Sequence, residues 1–252
     1  MNPLVIGFLC FGCFSAGASL GAMLRNRLPG HHLSGDSRHL IEIGLGIIGT
    51  MAGLVLGLLV ASASTSYNEQ RGEVLDAASK IILLDRVLAH YGPETADARR
   101  TLRGGVEQAL ERMWPQESAT PAASSPSRAG AGEALLDGVE SLSPRNDEER
   151  SLKPQAVALV IDLARVRWLM FEQGAESISV PLLVLLVFWF TITFVGFGLF
   201  APSNATVLVA LGLCALAVSG AIFITMEMYT PFEGVVRLSS APLREALLRL
   251  GR

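Results

Sequence analysis

Four stretches of roughly 20 residues, Pro3 to Leu24, Ile43 to Ser64, Val180 to Phe200 and Ala205 to Met226, contain no Asp, Glu, Lys or Arg. As α-helices, each is long enough to cross the ~30 Å hydrocarbon layer of a bilayer. A single charge at the centre of such a helix costs at least ~2.5–3.5 kcal/mol on insertion, so four clean runs predict four transmembrane helices. The same cleanness argues against a charged relay inside the membrane.

The runs are grouped two and two around a charged middle segment. The pattern predicts an all-α membrane protein with four transmembrane helices in a 2+2 arrangement and an extramembrane helical domain between the second and third. Residues 1–64 would form one transmembrane hairpin, 65–179 the helical domain, 180–227 the second hairpin and 228–252 a C-terminal tail. We find no strand-period alternation and no internal repeat.

Half of the chain is apolar and its formal charge is −3, so there is no basic surface that would argue for nucleic acid as a partner. Cys10, Cys13 and Cys214, the three cysteines, all lie in the apolar runs, where Cys acts as a small apolar side chain. They imply no disulfide framework. No Lys or Arg precedes the first run, so despite the small residues Ala16-Gly17-Ala18 it reads as a retained span and not a cleaved signal.

Arg25, Arg27, Pro29-Gly30 and a polar stretch to Arg38 predict a short loop between the first two spans. Beyond Ser64, Val74, Leu75, Ala78, Ile81, Ile82, Leu88 and Tyr91 recur near the helical period, predicting an amphipathic helix that can continue from the second span. Gly92-Pro93 stops it, and Thr95 is the expected N-cap of the next helix, with Leu102, Val106, Leu110 and Met113 on one face.

Gln116 to Gly132 is rich in Ala, Ser, Pro and Gly and reads as a flexible linker. A short helix over about 133–142 and a long one over about 147–176, feeding the third span, are expected next. Val157, Val160, Ile161, Ala164, Trp168 and Phe171 form the predicted buried side of the long helix. Ala201-Pro202-Ser203-Asn204 is a tight link between the last two spans, with Asn204 suited to cap the fourth.

Orientation follows from arginines. Arg25, Arg27 and Arg38 favour a cytoplasmic first loop, but Arg71, Lys80, Arg165, Arg167, Arg237, Arg244, Arg249 and Arg252 outnumber them on the opposite side. The balance places the termini and the middle domain in the cytoplasm.

Gly44-Leu45-Gly46-Ile47-Ile48-Gly49 spells a dinucleotide-binding pattern, yet it opens a spanning helix with no strand before it and lacks the context that makes the motif work. Gly46, Gly49, Gly53, Gly57 and Ala61 are better read as a stripe of small residues. Such a stripe either lets another helix approach closely or faces an aqueous pathway. His31, His32, His39 and Asp36 share one loop without the spacing of a metal site, and no metal or cofactor is expected. His90 suits a helix C-terminus. Glu42 and Glu227 fall at the edges of spans, reaching interfacial water or lining a vestibule. No nucleophile elbow, zinc helix or extramembrane Cys pair recommends an enzyme.

Three segments resemble a bacterial membrane family called bestrophin-like: the stretch Leu58-Leu59-Val60-Ala61-Ser62-Ala63-Ser64-Thr65-Ser66-Tyr67-Asn68-Glu69-Gln70-Arg71, the run from Ile81 to Thr95, and Phe200 to Thr206 with Pro231-Phe232-Glu233-Gly234 and Val236 to Arg244. A weaker similarity extends to true bestrophins through Ser66-Tyr67, Glu69, Arg71 and Pro231-Phe232. The resemblance implies a homo-oligomer, a pentamer in bestrophins, that passively conducts inorganic ions, mostly anions, along its second spans. It would sit in the bacterial inner membrane with lipid as its surroundings.

Two departures limit what carries over. Glu233 is followed by Gly234-Val235-Val236-Arg237 and not by the acidic run of calcium-gated bestrophins. The large aromatics expected after the Tyr and at a hydrophobic neck are also missing, so small residues would form any constriction. The competing expectation is a non-conducting membrane scaffold or sensor whose helical domain binds a protein partner.

Overall fold

A computed structural model describes residues 2–27, 35–115, 131–173, 179–202, 204–232 and 234–251. The described residues are helical with no strand. In chain order the helices are α1 (Pro3–Arg27), α2 (Gly35–Tyr91), α3 (Ala96–Met113), α4 (Ala131–Glu140), α5 (Asp147–Gln173), α6 (Val180–Phe200), α7 (Ala205–Met228) and α8 (Ala241–Arg249). Four of them, α1, α2, α6 and α7, are long and apolar enough to cross a membrane. The expected continuation of the second span is realised, because α2 runs for 57 residues without a break.

The chain forms two compact units, Met1–Tyr67 with Ser177–Val236, and Asn68–Glu176 with Arg237–Arg252. In the first, α1 packs against α6 and α7. Phe14 is fully buried, its ring stacked on Phe194 at 5.4 Å and edge-on to Phe190 at 5.9 Å. Ile6, Cys10, Ala52, Leu59, Leu186, Ala215 and Ile222 complete a core drawn from all four helices.

Lipid removes most of the hydrophobic drive for helix association, so close packing has to come from small residues. They are found where α1 meets α6. A Cβ on Gly17 would lie 3.0 Å from the Thr191 carbonyl oxygen, and one on Gly198 only 2.0 Å from that of Ala18. Several hydroxyls within the apolar helices donate to their own helix: Thr191 to Val187 O at 2.7 Å, Ser219 to Ala215 O at 2.7 Å and Thr225 to Ala221 O at 2.7 Å. Asn204 caps α7 as expected, accepting from the Val207 N–H at 2.9 Å.

The second unit is built from the C-terminal part of α2 with α3, α4, α5 and α8. Gly92, at φ 131°, breaks α2, and Pro93 prevents its resumption. Thr95 stands at the N-cap position of α3, but its hydroxyl does not cap that helix. It donates back to Leu88 O at 2.6 Å and Gly92 O at 2.8 Å, closing the end of α2 instead. Leu102, Val106 and Leu110 are buried as their spacing predicts. Asp85 is buried and receives two hydrogen bonds from Arg99, at 2.7 and 3.0 Å, and one from the Gly251 N–H at 3.3 Å.

The buried side of α5 matches the predicted one only in part, with Val160 buried and Val157 half-buried as expected. Ala156, Val160 and Val166 are buried, whereas Ala164 is exposed, Ile161 is 52% exposed and Trp168 67% exposed. Apolar residues occur around more of α5 than one stripe, so spacing alone does not single out the buried face, which includes Ala156 and Val160. Phe171 and the end of α5 toward the third span lie outside the described side chains, as does most of the expected 116–132 linker. The segment after residue 228 is more than a tail. It contains α8, which packs on α3 through Leu243 and Ala246, while Trp114 Nε1 donates to Leu238 O at 2.8 Å.

Candidate functional site

The spanning part of α2 presents two parallel lines of residues that its own chain leaves uncovered. Gly46, Thr50, Gly53, Gly57 and Ala61, spaced three or four apart, form one exposed line of small side chains. One position further on, Ile47 (57% exposed), Met51 (55%), Leu54 (72%) and Leu58 (68%) form a line of large aliphatic ones. A Cβ on Gly46, Gly53 or Gly57 would meet nothing within 4 Å. Gly49, placed in the same stripe by sequence, is turned inward instead, with Thr193 Cγ2 at 3.7 Å from its Cβ position.

Among the described residues, the close backbone approaches between α1 and α6 are at Gly17, Gly21 and Gly198, while Gly196 of α6 receives the Leu45 side chain of α2 and Gly7 of α1 lies against Phe223 of α7. The spacing Gly17-x-x-x-Gly21 is the signal that could have identified the first two. The glycine pattern at 44–49 is helical throughout, with no strand before it among the described residues, so the dinucleotide motif has no structural basis here.

The open line is electrically plain. No charged residue occurs between Ile43 and Tyr67, and its polar groups are hydroxyls. Thr50 donates to Gly46 O at 2.8 Å and Thr65 to Ala61 O at 3.0 Å, which leaves their oxygens free to accept. Further along, the Tyr229 hydroxyl donates to Ser62 Oγ at 3.3 Å.

The family-motif positions have varied settings. Tyr67 is half-buried, Glu69 and Arg71 are exposed on α2, Pro231 is buried and Phe232 half-buried in the turn after α7. The sequence reading missed what organises that turn. Glu227, weighed there as an interfacial or vestibule carboxylate, is 2% exposed and accepts the backbone N–H groups of Val235 and, at 3.1 Å, Val236. Gly234 immediately precedes them at φ 88°, with its Cβ position directly against Glu227 Oε2.

At the opposite end of this unit, a groove of about 710 Å³ lies among the start of α2, the end of α6 and Leu211 of α7. Arg38 and Glu42 stand at its rim, joined at 2.7 Å. Glu42 is thereby a partner of Arg38, half-exposed at the edge of the span. His39 is exposed, and His31, His32 and Asp36 lie outside the described side chains.

Residues 12–243 match the family model for the Bestrophin-like domain. No curated protein and no solved structure matches the chain.

Proposed function

The chain belongs to the bestrophin-like family of membrane proteins, and from that premise we propose that it is a passive oligomeric ion channel, conducting anions, with α2 of each copy around the axis. The observation that carries this reading is the open line Gly46, Thr50, Gly53, Gly57 and Ala61, which nothing in the chain covers. Around an axis, Gly53, Gly57 and Ala61 of each copy would form a narrow wall of backbone dipoles without fixed charge, with the Thr65 hydroxyl one turn further on. The neighbouring line Ile47, Met51, Leu54 and Leu58 would pack against the next copy or lipid. The anion preference and a five-fold assembly rest on the likeness to bestrophins. The setting we propose is the bacterial inner membrane, with the termini and middle domain cytoplasmic.

The same openness suits a second reading, a non-conducting scaffold in which the small residues seal against a helix of another copy. Water separates the two. In a background with Cys10, Cys13 and Cys214 replaced, Gly53→Cys, Gly57→Cys and Ala61→Cys would be treated with a membrane-impermeant thiol reagent. Periodic labelling of these positions supports the pathway. Protection of all three, with labelling confined to the helix ends, supports the sealed scaffold.

A further inference from the structure

The groove between α2, α6 and α7 has a built-in polarity. From Arg38 to Thr50 it follows α2 for about 18 Å at 1.5 Å per residue, comparable to one leaflet's share of a ~30 Å hydrocarbon layer. Deep in it, Gly46, Gly49 and Thr193 offer a wall with little side chain, beside Leu45, whose side chain lies on Gly196. Its volume of about 710 Å³ equals that of roughly two dozen waters at ~30 Å³ each, but the lining is mainly apolar and would leave most of them short of partners.

The outer end is basic. Two guanidiniums converge on consecutive carbonyls where α6 ends: Arg25 donates to Ala201 O, and Arg38 lies 3.5 Å from Phe200 O and 5.5 Å from the centre of the Phe200 ring. Each guanidinium has five N–H donors, so both keep donors to spare. Glu42 is the carboxylate in the lining, and among the described residues it pairs with Arg38. The Ala201–Asn204 link adds no charge, and nearby in sequence Arg27 adds a positive charge and Asp36 a negative one.

We propose that this groove holds an anionic phospholipid, with an acyl chain along Gly46 and Gly49 and the phosphate on Arg25 and Arg38. Charge complementarity selects this occupant over a zwitterionic lipid, and the apolar depth selects a lipid over a free phosphate. The lipid would lie on the Gly46 and Thr50 end of the open line of α2 and leave Gly53, Gly57 and Ala61 to the proposed pathway.

The test uses the full-length protein, delipidated in detergent, with native mass spectrometry of retained lipid and thermal unfolding as readouts. Dioleoyl phosphatidylglycerol should be retained on the order of tenfold more strongly than dioleoyl phosphatidylcholine. Arg25→Gln/Arg38→Gln should abolish that preference while leaving weak retention of both. Gly46→Leu, whose Cβ position is open, should fill the groove and lower retention of both lipids. A phosphatidylglycerol with a photoreactive acyl chain, used on the unsubstituted protein, should label residues 45–50 and 193–200, a readout that needs no variant to fold. Equal retention of the two lipids, labelling elsewhere, the same stabilisation by inorganic phosphate alone, or a Gly46→Cys cross-link showing a second copy in the groove would each overturn the proposal.

Discussion

A Cβ built on Gly21 would lie 2.0 Å from the carbonyl oxygen of Val195, closer than any side chain tolerates. Here α1 and α6 touch backbone to backbone, so Gly21→Ala must push the helices apart. It is expected to destabilise the protein by about 1–3 kcal/mol, the cost of overpacking. Gly53→Ala, at a position open within the chain, should be neutral or stabilising by up to ~1 kcal/mol, because alanine is the better helix former. Thermal unfolding of both variants in the same detergent checks the contrast.

Asp85 ties together three segments of the second unit, through Arg99 of α3 and the backbone N–H of Gly251 beyond α8. Asp85→Asn keeps the shape but leaves Arg99 without its charge partner. Breaking a buried pair costs ~3–5 kcal/mol, and since the Arg99 side chain is 24% exposed the lower end applies. The Asp85→Asn variant should also raise hydrogen exchange in α8. Unchanged exchange there would mean that the carboxylate does not hold the C-terminal helix.

Burial pushes the Tyr91 phenol above its ordinary pKa, with Glu149 and Glu94 adding to the effect and Arg145 opposing it. A folded-state pKa above the unfolded value means that this contribution to stability is fully present below about pH 10 and is lost as pH rises through the folded value. The hydroxyl is buried and has no hydrogen-bond partner among the described residues. Tyr91→Phe should therefore be neutral or stabilising by about 1 kcal/mol near neutral pH and should lessen alkaline destabilisation. A pH series of unfolding midpoints reads both effects.

Gly234 combines a positive φ with contact against the Glu227 carboxylate. Gly234→Ala therefore incurs backbone strain of ~1–3 kcal/mol plus the displacement of that carboxylate. Glu227→Gln keeps the shape but weakens bonds worth ~1.5–3 kcal/mol to the Val235 and Val236 N–H groups. Hydrogen exchange across residues 231–236 should speed up in both variants. If it does not, the turn is held by something other than Glu227.

The elements were legible where one physical term dominates. Charge-free length marked four spanning helices, Gly92-Pro93 marked the break after α2, and Asn204 marked the start of α7. Features decided by which neighbour arrives were not legible. Apolar residues run around more of α5 than one stripe, and Ile161 and Trp168 stay outside although their spacing suits burial. The Thr95 hydroxyl had two acceptors within reach and took those behind it. Among the glycines, the regular series on α2 drew attention from the shorter Gly17 and Gly21 pair, and sequence spacing cannot tell a stripe that is filled from one that stays open. The role of Glu227 depends on a turn several residues further on, and helical periodicity carries no information about it.

The most direct measurement is halide flux into proteoliposomes containing the purified protein, compared with a Gly53→Trp/Gly57→Trp variant shown to fold and assemble normally. The pore reading predicts flux through the unsubstituted protein and its block in the variant, because the indoles would project from the open line of α2 into the path. Absence of flux across voltage, pH and calcium conditions, or flux that the tryptophans leave unchanged, would contradict a pathway along that line.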